Sequence, residues 1–119
     1  YDPQVINIDF DGNIIWNITY NGSGLKHTRW VATSTFDGGA AILGTTNYYR
    51  EAGSNEDAYL IKIDKEGKKL WDYAVQGGKS DWGWAIIETY LQELVIVGST
   101  KSFGGGLYDI LIAKIVNSD

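Results

Sequence analysis

The 119-residue sequence contains no cysteine and no methionine, one proline (Pro3) and one histidine (His27). Without cysteine there is neither a disulfide framework nor a thiolate zinc site. The absence of methionine, with Tyr1 at the start, points to a processed mature form or a fragment. A removed signal peptide would leave such a start, and so would trimming. No apolar run approaches the ~20 residues that cross a bilayer as a helix, so no membrane span is expected. Positive charge is also scarce: the formal net charge is −5. A nucleic-acid partner calls for a basic stripe that displaces counterions, and none is present. The charges come singly, so there is no acidic or basic tail.

What is abundant is glycine, at 15 residues, together with aromatic residues at 13%. The apolar share is large enough for a real core. Many Gly among Tyr, Trp, Ile, Val and Thr suggests short strands joined by tight turns. The length fits one ordinary domain, residues 1–119.

Two copies of one pattern can be laid over each other. Ile8-Asp9-Phe10-Asp11-Gly12-Asn13-Ile14-Ile15-Trp16 matches Ile63-Asp64-Lys65-Glu66-Gly67-Lys68-Lys69-Leu70-Trp71. Asp9 and Asp64, Gly12 and Gly67, Trp16 and Trp71, and Gly22 and Gly77 are each 55 apart. Trp30 and Trp84, Gly44 and Gly98, and Thr46 and Thr100 are each 54 apart. Asp57 and Asp109, Lys62 and Lys114, and Ile63 and Ile115 are each 52 apart. The offset changes only between matched blocks, where Gly and polar residues cluster, as loops of unequal length between fixed strands would require. The repeats run over about 9–63 and 64–116.

Each matched block reads as a strand. Ala40 to Gly44, Leu94 to Gly98, Ala58 to Ile61 and Ile110 to Ala113 are short continuous apolar runs, the pattern of a strand covered on both faces. Ile14, Trp16, Ile18 and Tyr20 alternate with polar residues, so that strand has one wet face and is outermost. Asp11-Gly12 and Glu66-Gly67 are hairpin signals. Strands are expected near 4–9, 13–20, 29–35, 40–46, 57–64, 68–75, 83–89, 93–99 and 109–116. Four antiparallel strands per repeat, the inner ones buried twice over, describe a propeller blade. The expected fold is therefore all-β: two tandem four-stranded blades, with incomplete blades at the chain ends. Val5 to Ile8 and Ile14 to Tyr20 match a third and a fourth strand, a complete four-stranded blade follows, and three strands of another end with Ile110 to Val116.

Trp71-Asp72-Tyr73, Gly77-Gly78, Asp81-Trp82-Gly83-Trp84, Val97-Gly98-Ser99-Thr100 and Asp109 to Lys114 carry a resemblance. Together they resemble the repeats of secreted bacterial and archaeal β-propellers, including those called SBBP repeats. The first copy is looser, with Gly22-Ser23 for Gly-Gly and His27-Thr28-Arg29 for the Asp-Trp-Gly step. Lys62 to Trp71 is similar, more distantly, to the Trp-docking repeat of quinoprotein propellers. Those enzymes hold their quinone in a full ring, often against a Cys pair, so the similarity implies shared blade architecture and no cofactor. The resemblance implies a fold and a location, extracellular or at the cell surface. It implies no single function, since such repeats are scaffolds.

No catalytic residue or metal site is assigned. His27 has no Gly-x-Ser-x-Gly elbow beside it, and an exposed loop histidine is the simpler reading. Asp9-Phe10-Asp11-Gly12-Asn13 glances at a calcium loop but lacks the distal Glu, and Lys65 and Lys68 spoil its second copy. Gly104-Gly105-Gly106 has no following helix or Lys-Ser/Thr to make a phosphate cradle.

The repeated Trp residues point to packing between sheets. Trp82 is not repeated, and with Tyr48, Tyr49, Phe103 and Tyr108 it falls in loops that would share one rim of a propeller. Aromatics there suit a glycan or a protein partner. Asn17-Ile18-Thr19 and Asn21-Gly22-Ser23 are sequons, making Asn17 and Asn21 candidate glycosylation sites.

Two blades expose apolar faces and unpaired edges. The first expectation is thus a non-catalytic structural module whose copies join head-to-tail into a ring or filament. Ile14, Trp16, Ile18 and Tyr20 would be the donated strand, and Ile110 and Ile112 would mark the acceptor edge. The second is a carbohydrate- or protein-binding module using the rim aromatics.

Overall fold

A computed structural model of the chain describes residues 2–21, 30–46, 56–75, 80–102 and 108–116. Within them lie nine strands and no helix. They are β1 (Gln4–Ile8), β2 (Ile14–Thr19), β3 (Val31–Ser34), β4 (Ala40–Thr46), β5 (Asp57–Ile63), β6 (Lys69–Val75), β7 (Asp81–Glu88), β8 (Leu94–Thr100) and β9 (Asp109–Ile115). Each falls where the matched blocks place it.

All pairings are antiparallel, in three sheets: β1-β2, β3-β4-β5-β6 and β7-β8-β9. Among the described residues only the central sheet has four strands, so two complete four-stranded units are not formed, while the order of an incomplete pair, a full sheet and three further strands is the one expected from the matched blocks. The first strand of each sequence repeat, β2 or β6, turns back through its Asp-x-x-Gly hairpin and pairs with the strand before it. Sheets and repeats are therefore out of step by one strand. The described strands form three stacked sheets and no closed propeller.

The hairpins explain this folding back. Asp9 Oδ1 accepts hydrogen bonds from the amides of Asp11 and Asn13, both at 2.9 Å, and Asp64 Oδ1 does the same for Glu66 and Lys68 at 2.9 Å. Gly67 has φ 86°, a conformation that costs a side-chain-bearing residue and not glycine. The calcium-loop likeness at Asp9 thus resolves into a turn whose carboxylate is occupied by backbone donors. Those donors, led by Asn13, hold the Asp9 carboxyl below its ordinary range.

The central sheet is sandwiched. Every residue of β5 is buried, as is all of β4 after Ala40. One face packs Ile42, Tyr59, Ile61 and Ile63 against Val5, Trp16, Ile18 and Tyr20 of the N-terminal sheet. The other packs Ala41, Leu43, Ala58 and Leu60 against Ile86, Leu94 and Ile96 of the C-terminal sheet. The sheets approach closely at Gly83, where an added Cβ would stand 2.5 Å from Leu43 Cδ2. Full burial of a Leu or Ile side chain stabilises the fold by about 1.5–3 kcal/mol.

The repeated tryptophans divide. Trp16 and Trp71 hold equivalent places, each packed between its own sheet and the next. Trp16 Nε1 donates to the carbonyl of Lys65 at 3.2 Å. Trp30 and Trp84 do not correspond. The Trp30 ring lies over Gly44, whereas Gly83 pairs with Gly98 and Ala85 with Val97, leaving Trp84 as the extra residue of a bulge. A bulged residue has no partner opposite it, and Trp84 is half-exposed.

Candidate functional site

The richest polar cluster sits at one rim, where β5 and β7 begin, β8 ends and β9 begins. The amide of Asp81 donates to the Glu56 carbonyl at 2.8 Å, and the amide of Lys101 to the Ser80 carbonyl at 2.9 Å. The second bond carries the β7–β8 ladder past its strand ends, and the first ties the C-terminal sheet to the central one. Asp81 itself is fully buried. Its carboxylate accepts hydrogen bonds from the Thr100 hydroxyl and, at 2.8 Å, from Ser102 Oγ. The Ser102 amide donates to Thr100 Oγ1 at 2.9 Å, closing a tight ring of contacts.

On this base stand the aromatics. Trp82 Nε1 donates to Glu56 Oε1 at 2.7 Å. Its ring stacks on Tyr108 with centroids 5.3 Å apart and planes inclined by 25°. Lys101 Nζ lies 4.6 Å from the Tyr108 ring centroid, in cation–π range. Of the five rim aromatics expected from sequence, Trp82 and Tyr108 are brought together, while Tyr48, Tyr49 and Phe103 lie outside the described residues. Lys101 and Glu56 were not foreseen. A rim aromatic ringed by polar residues invites the question of what holds it, and that was the available signal.

The second candidate is the outward face of the C-terminal sheet. Ile110 and Ile112 are 77% and 68% exposed, and Ile87, across β8 on β7, is open to solvent as well. Their repeat counterparts make the comparison sharp. Ala58 and Leu60, 52 residues earlier than Ile110 and Ile112, are 0% and 1% exposed because the C-terminal sheet covers them. β9 is also the edge strand of its sheet.

The residues expected on a donated strand lie elsewhere. Trp16, Ile18 and Tyr20 are packed into the chain's own interior, where the Tyr20 hydroxyl donates to the Gly67 carbonyl. Burial raises the affinity of the Tyr20 phenol for its proton. Ile14, expected on the same face, is exposed at the hairpin, where the β1–β2 register shifts. Alternation fixes one face only while the pairing stays regular. Asn17 is exposed and its Oδ1 accepts from Gln4 Nε2 at 2.7 Å. Asn21 is exposed too, but the rest of its sequon, Gly22 and Ser23, lies outside the described residues, as does His27.

No protein-family model matches the chain, and no curated protein matches it. Among the described residues, no helix is long and apolar enough to cross a membrane. No group of three or more potential metal ligands is gathered among them either.

Proposed function

We propose that the chain is a non-catalytic structural module of β-propeller type, extracellular or at the cell surface, that joins further copies head-to-tail. The observation that carries this reading is the contrast between exposed Ile110 and Ile112 and their buried counterparts Ala58 and Leu60. Stacking another sheet there would remove from water the same positions that the central sheet already buries. The far side supports the reading. Ile6 and Ile8, counterparts of Ala113 and Ile115, are 43% and 54% exposed on the N-terminal sheet. One kind of interface is thus half-formed at each end, and a heterologous contact of that kind gives a ring or a filament according to its rotation. The contact is face on face, with β2 kept by its own chain. Light scattering across a concentration series tests it. The wild type should grow in mass with concentration and Ile112→Lys should stay monomeric. A wild type that is monomeric at millimolar concentration overturns the proposal.

A second reading, a glycan-binding module, is favoured by the Trp82–Tyr108 pair with Lys101 beside it. Stacked rings with flanking hydrogen-bonding groups suit the apolar face and hydroxyls of a sugar. A glycan array probed with wild type and Trp82→Ala separates the readings, since loss of a signal in the variant is expected only if the rim binds sugar. In both readings Asn17 and Asn21 are proposed as glycan acceptors, which intact mass of native material tests.

A further inference from the structure

Among the described residues β1 hydrogen-bonds to one strand, β2, whereas its repeat counterpart β5 is flanked by β4 and β6. The other edge of β1 faces two adjoining cavities of about 410 and 450 Å3. The first is lined by β1, Trp16, Gly39, Ala40 and Ile63, and the second by β1, Trp30, Ala32 and Ile42. The floor of this groove is the face of β3 and β4. The repeat shows what such a floor does when covered. Ile86 and Ile96, counterparts of Ala32 and Ile42, are 6% and 1% exposed beneath the central sheet; Ile42 is likewise covered at 4%, whereas Ala32 is open to solvent. A strand edge with no partner among the described residues, beside an apolar floor, meets both needs of strand addition, main-chain partners and side-chain pockets.

We infer that the groove along β1 binds an extended segment as an added antiparallel strand, and that its occupant is the second-strand segment of a further repeat of this kind. The inference rests on the repeat relationship used above, though not on head-to-tail association itself. The chemistry of the occupant follows from the interface already present twice. Ala41 and Leu43 stand opposite Lys62 and Leu60, and Val95 and Val97 stand opposite Lys114 and Ile112. The counterparts in β1 are Asn7 and Val5, on the face turned to the central sheet, whereas Ile6 and Ile8 are on the outward face. A fitting strand therefore carries aliphatic residues opposite Val5 and Asn7, where its side chains face the groove floor.

The probe is a synthetic peptide with the sequence of residues Glu93 to Lys101, added to the isotopically labelled full chain carrying Ile112→Lys to suppress stacking. Saturable shifts confined to β1 amides and the Trp30 indole, with new exchange protection along β1, are expected. A peptide with proline in place of Ile96 should bind about tenfold or more weakly, because it lacks a ladder donor. Ala32→Glu in the chain should weaken binding similarly by placing a charge on the groove floor. Shifts at β9 instead of β1, equal binding of the proline peptide, or no shift at millimolar peptide each overturn the inference. The mass measurement is independent: a chain that associates yet ignores the peptide sinks the groove alone, and a monomer that binds it sinks the stacking alone.

Discussion

The Nζ of Lys62, on a strand buried along its length, stands 2.8 Å from Oδ2 of Asp37 in the turn between β3 and β4. It also donates to the Ile63 carbonyl at 2.9 Å. A buried ammonium needs such partners, because desolvation penalises an unpaired charge heavily. The hydrogen bond from Lys62, followed by that from Thr35, holds the Asp37 carboxyl down at about 2. A depressed carboxyl stabilises the fold above its unfolded value, near 3.9, and loses that contribution as pH falls toward 2. Denaturant midpoints should therefore drop between about pH 4 and pH 2 in the wild type, and less so in Asp37→Asn. At neutral pH Asp37→Asn should cost about 1–2 kcal/mol, short of a fully buried pair because solvent reaches Asp37.

Gly83→Ala should destabilise the contact between the central and C-terminal sheets, since the new methyl meets Leu43. Leu43→Ala alone should cost about 2–5 kcal/mol through the cavity it leaves. In the double variant the two losses should fall short of their sum, because the smaller side chain makes room for the methyl. Additive losses in a double-mutant cycle would show that the two positions do not share that space.

Gln92 has φ 62° in the turn from β7 to β8, the place that Gly38 fills, at φ 86°, in the β3–β4 turn. A left-handed conformation costs a side-chain-bearing residue about 1–2 kcal/mol. Gln92→Gly should recover part of this, raising the melting temperature by a few degrees, which calorimetry can read.

Trp84→Ala should cost little, under about 1 kcal/mol, whereas Trp16→Ala should cost about 3 kcal/mol or more. Equal losses would mean that the bulge does not set Trp84 apart.

The strands and their turns were legible because their signals are local. Asp64 and Gly67 lie within one hairpin, and the Ala40 to Gly44 run needs no distant information to read as a covered strand. The division into sheets of two, four and three strands was legible as well, since Val5 to Ile8 and Ile14 to Tyr20 match the third and fourth strands of one unit and the chain ends three strands into another. The Trp84 bulge has no residue code, because a glycine at 83 serves equally as a close-approach position. Rim partners such as Lys101 and Glu56 come from separate loops, and no spacing rule connects them. Lys62 was visible only as a repeated residue, and its ion pair with Asp37 spans 25 positions.

The one-strand offset between sheet and repeat bears on how such a chain can be cut and enlarged. The interval copied in the sequence, about 9–63, carries β2 away from β1 and leaves β5 without β6. The interval that closes one four-stranded sheet is instead 30–75. A gene segment duplicated at the repeat boundary thus encodes no free-standing body. It hands its first strand to the neighbour upstream and takes its last from the neighbour downstream, so that each added copy is stitched to both.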